Sequence, residues 1–158
     1  MVKDLVLFLG NSIFKDDQIG LIVGERLRDI LIKDGYEVEI VEKTGLALMD
    51  YLEGRNRVII VDSIMTSKAN TGEVIEVDLE EVKYCSIFSP HYFGINEAVK
   101  TMELLELNPP KELKIIGIEV KDVYTISEDI TDELKEKLED IVERVYRKIR
   151  SENLKVKT

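Results

Sequence analysis

The sequence predicts an α/β protein in which helices cover both faces of a mostly parallel sheet of about five strands. Short apolar runs typical of buried strands alternate with segments whose apolar residues recur every three or four positions, as in helices. Strict alternation of strand and helix favours right-handed crossovers, and therefore a three-layer α/β/α sandwich. The length of 158 residues suits one core, so we expect a single domain spanning residues 1–158.

The first half of the chain is predicted to contain three strands and two helices. The apolar runs Leu5–Leu9 and 58–61 suit buried strands, whereas residues 36–41 alternate polar and apolar side chains, as an edge strand does. Residues 19–31 place apolar side chains on one helical face, and residues 46–52 suit a short helix between two glycines. This order is that of two parallel crossover units.

The second half is predicted to complete both the sheet and its helical layers. Residues 73–77 alternate as a short strand, and residues 97–107 have helical spacing up to a Pro-Pro pair that ends the helix. Residues 113–120 return to a strand pattern. A C-terminal helix is expected over residues 131–149, with Thr131 as its N-cap.

Composition excludes several classes of function. The chain has 22 basic and 32 acidic residues, and its net charge of −10 repels nucleic acid and anionic lipid, so neither partner is expected. The first apolar run is too short to span a membrane and is not followed by a signal cleavage site. Because Cys85 is the only cysteine, no intramolecular disulfide can form, and a cytoplasmic location is expected.

Two adjacent carboxylates, Asp16 and Asp17, lie in the turn between the first strand and the first helix. Either could simply cap the helix and interact with its dipole. A phosphate-binding loop is disfavoured because the glycine-rich signatures are absent and two aspartates would repel phosphate. Acids beyond a strand end, where sites form in such sheets, favour a cation instead.

Asp62 and His91 are the other candidates for a site. Asp62 follows an apolar strand, where it could either belong to a site or begin a turn. His91 is the only histidine and precedes a predicted helix; it could bind a metal or move a proton, although a lone histidine is more often structural. Two carboxylates and one imidazole from separate loops match the ligand types of a zinc-like or nickel-like site with an open position.

Conventional hydrolase signatures are absent from the sequence. It lacks the paired-histidine motif of zinc proteases, the paired-cysteine motif of zinc ribbons and the nucleophile elbow of serine hydrolases. Neither Cys85 nor Ser89 has the flanking residues that would support a nucleophile paired with His91. Any catalysis would therefore be unconventional.

Taken together, the motifs resemble those of the hydrogenase maturation endopeptidases, over most of the chain. The matching segments are Gly10-Asn11 through Asp16-Asp17 to Gly20, Lys43-Thr44-Gly45, Val61-Asp62-Ser63 and Ser89-Pro90-His91. This chain departs from the family's usual pattern at three positions. Phe8 replaces an additional glycine, Asp17 replaces the more common glutamate, and Lys43 replaces a glycine.

The resemblance implies that Asp17, Asp62 and His91 contact nickel carried by the substrate and take part in catalysis. The implied substrate is a nickel-loaded precursor of a NiFe-hydrogenase large subunit, and the implied reaction is aspartyl-type endopeptidase cleavage of its C-terminal extension. A non-catalytic nickel-checking or escort module for the same large subunit would use the same residues. A flavodoxin-like nucleotide or flavin binder fits the fold class but lacks a phosphate loop.

Overall fold

Five strands and four helices form a layered α/β fold in the computed structural model, which describes the backbone of residues 2–77 and 92–157 and the side chains of residues 2–77 and 94–151. The strands are β1 (Leu5–Leu9), β2 (Glu37–Val41), β3 (Arg57–Ile64), β4 (Val74–Val77) and β5 (Glu112–Glu119). The helices are α1 (Ile19–Lys33), α2 (Met49–Leu52), α3 (Tyr92–Leu104) and α4 (Asp132–Lys157). Short 3-10 turns at Asp16–Gln18 and Gly45–Leu48 precede α1 and α2.

The strands form one sheet in the order β2-β1-β3-β5-β4. Neighbouring strands are parallel except for β4, which runs antiparallel to β5. Val6 of β1 is level with Val38 of β2 on one side and with Ile59 of β3 on the other. The mostly parallel five-stranded sheet and the edge position of β2 confirm the predictions from the sequence.

Two apolar layers cover the two faces of the sheet. Because side chains alternate along a strand, Val6 and Phe8 enter one layer while Leu5, Leu7 and Leu9 enter the other. The first layer contains the buried faces of α1 and α4, and the second contains α2 and α3. The fold is therefore the three-layer sandwich that the alternating pattern predicts.

Several predicted boundaries differ from those in the structure. The predicted strand at 58–61 continues to Ile64, so Asp62 lies within β3 and not in a turn after it. The extension follows from pairing: β3 and β5 stay in register as far as Ile64 and Glu119, and this pairing overrides the turn tendency of the Asp-Ser pair. Helix α3 begins at Tyr92, earlier than predicted. Within the described ranges, no helix is long and apolar enough to cross a membrane.

Candidate active site

The connections of the sheet create a topological switch point at the carboxyl ends of β1 and β3. After β1 the chain passes through α1 to β2 on one side, and after β2 it passes through α2 to β3 on the other side of β1. Since α1 and α2 cover opposite faces, the direction in which the strands are added reverses between β1 and β3, and such switch points are where ligands bind in open α/β sheets. Asp17 follows β1 and Asp62 lies near the end of β3, so both candidate acids lie at this edge.

Ser63 connects the two acids. Its hydroxyl donates a hydrogen bond to Asp17 Oδ1 at 2.8 Å, and its backbone N–H donates to Asp62 Oδ1 at 2.8 Å. All three residues are buried, with exposures of 1% for Asp17 and 0% for Asp62 and Ser63. The structure therefore links the predicted Asp17 and Asp62 through Ser63, which contacts both carboxylates.

Asp16 has a different role from its neighbour. Its carboxylate is fully buried and accepts hydrogen bonds from the backbone N–H groups of Lys121, Asp122 and Thr131 and from the Thr131 hydroxyl, at 2.8 to 3.1 Å. Asp16 thus ties the turn before α1 to the β5–α4 loop and to the start of α4. The hypothesis that Asp16 or Asp17 caps α1 is not supported, because Gln18 is the N-cap and no side chain makes the capping bond.

Glycines allow the acidic turn to approach the sheet. A Cβ at Gly20, in the first turn of α1, would lie 2.0 Å from the carbonyl oxygen of Leu9, and one at Gly10 would lie 2.6 Å from that of Asp17. The turn is closed by the Asn11 N–H, which donates to the Asp17 carbonyl at 3.1 Å. The two glycines of the turn motif are therefore required by close backbone contact, and they set the position of Asp17 above β1.

A further carboxylate holds the outer part of this turn. The Ser12 N–H donates to Glu42 Oε1 at 2.8 Å and lowers the pKa of the Glu42 carboxyl. Glu42 directly follows β2 and precedes the Lys43-Thr44-Gly45 segment. No pattern in the sequence identified Glu42 or the roles of Ser63 and Asp16, since each acts through a partner that is distant along the chain.

The Lys43-Thr44-Gly45 segment packs against the start of α3. A Cβ at Gly94 would lie 2.6 Å from the Gly45 nitrogen and 3.0 Å from Thr44 Oγ1. Gly45 has a φ of +66°, in the left-handed region that favours glycine. The motif segment thus contacts the helix that follows His91 in the chain.

His91 itself lies outside the described residues, as do Cys85, Ser89 and Pro90. Within the described ranges no three potential metal-binding side chains form a cluster. The contacts of Ser63 with Asp17 and Asp62 are thus observed, whereas the placement of His91 with these acids stays a prediction.

Sequence comparison identifies relatives of this chain. The profile of a family described as hydrogenase maturation protease matches residues 22–148. Hydrogenase 2 maturation protease of Escherichia coli K12 is 29% identical over 121 residues, which cover 74% of this chain and 73% of that protein. Protein FrxA of Pyrococcus furiosus is 30% identical over 111 residues, which cover 68% of this chain and 77% of that protein.

Solved structures agree with the sequence relatives. A NiFe-hydrogenase maturation protease, HybD from Thermococcus kodakarensis, superposes with a TM-score of 0.69 at 30% identity, covering 92% of this chain and 98% of that one. The hydrogenase maturating endopeptidase HybD from E. coli superposes with a TM-score of 0.75 over 96% of this chain and 94% of its own; at 23% identity it supports the fold.

Fold and site together define an α/β protein with a buried pair of acids at the carboxyl edge of its sheet. The profile match covers well over half of the chain and falls on this fold. The chain belongs to the hydrogenase maturation protease family. The resemblance inferred from its motifs is thereby confirmed.

Proposed function

We propose that this protein is an endopeptidase that removes the C-terminal extension from a nickel-loaded precursor of a NiFe-hydrogenase large subunit. The observation that carries the proposal is the buried pair of Asp17 and Asp62, joined through Ser63 at the sheet edge where ligands bind in such folds. Family membership supplies the class of reaction.

The chemistry of the acidic pair suits a substrate that carries a divalent metal. Carboxylate oxygens at a strand edge attract a cation, and imidazole is a ligand suited to nickel. By the alternation of β3, Asp62 faces the layer that contains α3, the helix directly after His91, whereas Ser63 and Asp17 lie on the α1 side. In the proposal, Asp17, Asp62 and His91 contact the substrate's nickel and thereby place the scissile peptide at this edge of the sheet. The nickel arrives with the substrate and is not a resident cofactor.

Cleavage requires an activated water molecule, and two routes differ in how it is activated. In one, the substrate's nickel polarises the scissile carbonyl and the protein residues only position the metal. In the other, one of the three side chains takes a proton from the attacking water as a general base. An Asp17→Asn variant that still binds the nickel-loaded precursor but does not cleave it would favour the general-base route for Asp17.

The proposal is tested by mixing the purified protein with a large-subunit precursor, with and without nickel, and measuring intact mass. A loss of a C-terminal peptide that depends on nickel is the expected result. Binding without a mass change would contradict the protease and favour a nickel-checking or escort module. Cleavage that is equally fast without nickel would contradict the role of the metal.

Variants at the acidic pair test the assignment of residues. Asp17→Asn and Asp62→Asn are expected to lower the cleavage rate by at least about 100-fold, within the range that positioned acid–base groups contribute. Asp129→Asn is the matched control, because the Asp129 side chain is 77% exposed and pairs only loosely with Lys135 at 3.5 Å. Wild-type rates for Asp17→Asn would remove that residue from the mechanism.

A further inference from the structure

We propose that Ser63 is a positioning residue of this site, which holds the Asp17 carboxylate in the orientation that meets the substrate's nickel. The inference rests on the proposed function and deepens it. Ser63 does not itself contact the metal or the scissile peptide in this proposal. It acts through Asp17.

The geometry around Ser63 favours this role. The hydroxyl of Ser63 has a single proton, and it is donated to Asp17 Oδ1 at 2.8 Å. Asp17 lies on a three-residue 3-10 turn, whereas Ser63 lies in β3, where it is fully buried and level with Ile118 of β5. A residue on a paired central strand is a rigid support for one on a short turn.

The same residue also serves the second acid, but by its backbone. The Ser63 N–H donates to Asp62 Oδ1, a bond that any residue other than proline at position 63 would make. Removal of the hydroxyl therefore breaks the contact to Asp17 and preserves the contact to Asp62. Hydrogen bonds that orient metal-contacting side chains typically change metal affinity or activity by about 10- to 100-fold.

Thr66 provides a matched control. Its hydroxyl, like that of Ser63, donates to a carboxylate, reaching Glu119 Oε1 at 2.5 Å, and it lies just beyond the end of β3. Thr66→Val removes this hydroxyl–carboxylate bond, and also the bonds that the hydroxyl oxygen accepts from the Lys68 and Ala69 N–H groups, without touching Asp17 or Asp62. The control thus separates loss of stability from loss of positioning.

The experiment measures KM and kcat for nickel-loaded precursor with wild type, Ser63→Ala and Thr66→Val, together with the equilibrium dissociation constant of the same precursor. Ser63→Ala is expected to raise KM and the dissociation constant by about 10- to 100-fold, because nickel contact by Asp17 contributes to substrate binding. Thr66→Val is expected to keep both constants within about two-fold of wild type.

Two outcomes would overturn the inference. One is a Ser63→Ala enzyme with wild-type KM and dissociation constant. The other is a fall in kcat at unchanged KM that parallels the loss of folded protein, which is the signature of a merely structural residue. If the wild-type protein binds the nickel-loaded precursor but never cleaves it, the proposed protease function fails, and the dissociation constants still decide the role of Ser63.

Discussion

Substitutions at the neighbouring aspartates Asp16 and Asp17 should affect different properties. Asp16→Asn should lower the free energy of unfolding, whereas Asp17→Asn should lower the rate of cleavage. The Asp16 carboxylate is buried, with two backbone N–H donors on Oδ2 and one, from Thr131, on Oδ1. In Asp16→Asn, an amide NH₂ replaces one oxygen, so at least one bond to a charged acceptor is lost and two donors face each other. With such bonds contributing about 1.5–3 kcal/mol each, and a cost for the unsatisfied donors, we expect about 3 kcal/mol of destabilisation.

The loss of stability expected for Asp16→Asn should be visible in equilibrium unfolding. For a chain of this size, about 3 kcal/mol corresponds to a fall in Tm of roughly 6–12 °C. Asp17→Asn retains an oxygen that can accept the Ser63 hydroxyl, and it should change stability by less than about 1 kcal/mol. Urea denaturation followed by far-UV circular dichroism measures both variants. An unchanged midpoint for Asp16→Asn, or an equal loss for Asp17→Asn, would refute the assignment of Asp16 to stability.

Two further predictions concern the close contact between α1 and β1 and the dependence of the unfolding free energy on pH in acid. Alanine normally stabilises a helix by about 1 kcal/mol relative to glycine, but Gly20→Ala should lower Tm, because its Cβ would lie 2.0 Å from a backbone oxygen of β1. Gly24→Ala should lower Tm less, because its Cβ would lie 2.8 Å from Phe8 Cγ and 2.9 Å from Ile40 Cγ1, a smaller overlap than at Gly20; equal Tm values would contradict this. Hydrogen bonds from the Thr125 hydroxyl and from the N–H groups of Thr125 and Tyr124 lower the pKa of Asp122. Its stabilising contribution is therefore present above the unfolded pKa of about 3.9 and is lost as pH falls through the lower folded value. In a denaturation series from pH 7 to 2.5, Asp122→Asn should flatten the decline in unfolding free energy below about pH 4. A decline as steep as that of wild type would rule out this contribution of Asp122.

Local patterns determined the fold class and the order of the elements. The apolar run of β1, the alternation of β2 and the helical spacing of α1 are read over a few neighbouring residues, and each appears in the structure close to its predicted place. The motifs that carry Asp17 and Asp62 also pointed to the right family. These features are predictable because backbone periodicity and a short motif are properties of the chain itself.

The sequence by itself thus determined the layered fold and the family, and it predicts Asp17, Asp62 and His91 as the residues that contact nickel. Only the tertiary structure decided that Asp16 binds donors in the loop before α4 while Asp17 binds Ser63 of β3, because Asp16 meets its donors more than a hundred positions later in the chain. The same holds for Ser63, whose hydroxyl reaches Asp17 across 46 positions. Such contacts depend on which strands and loops become neighbours when the sheet forms, and no short stretch of sequence encodes that.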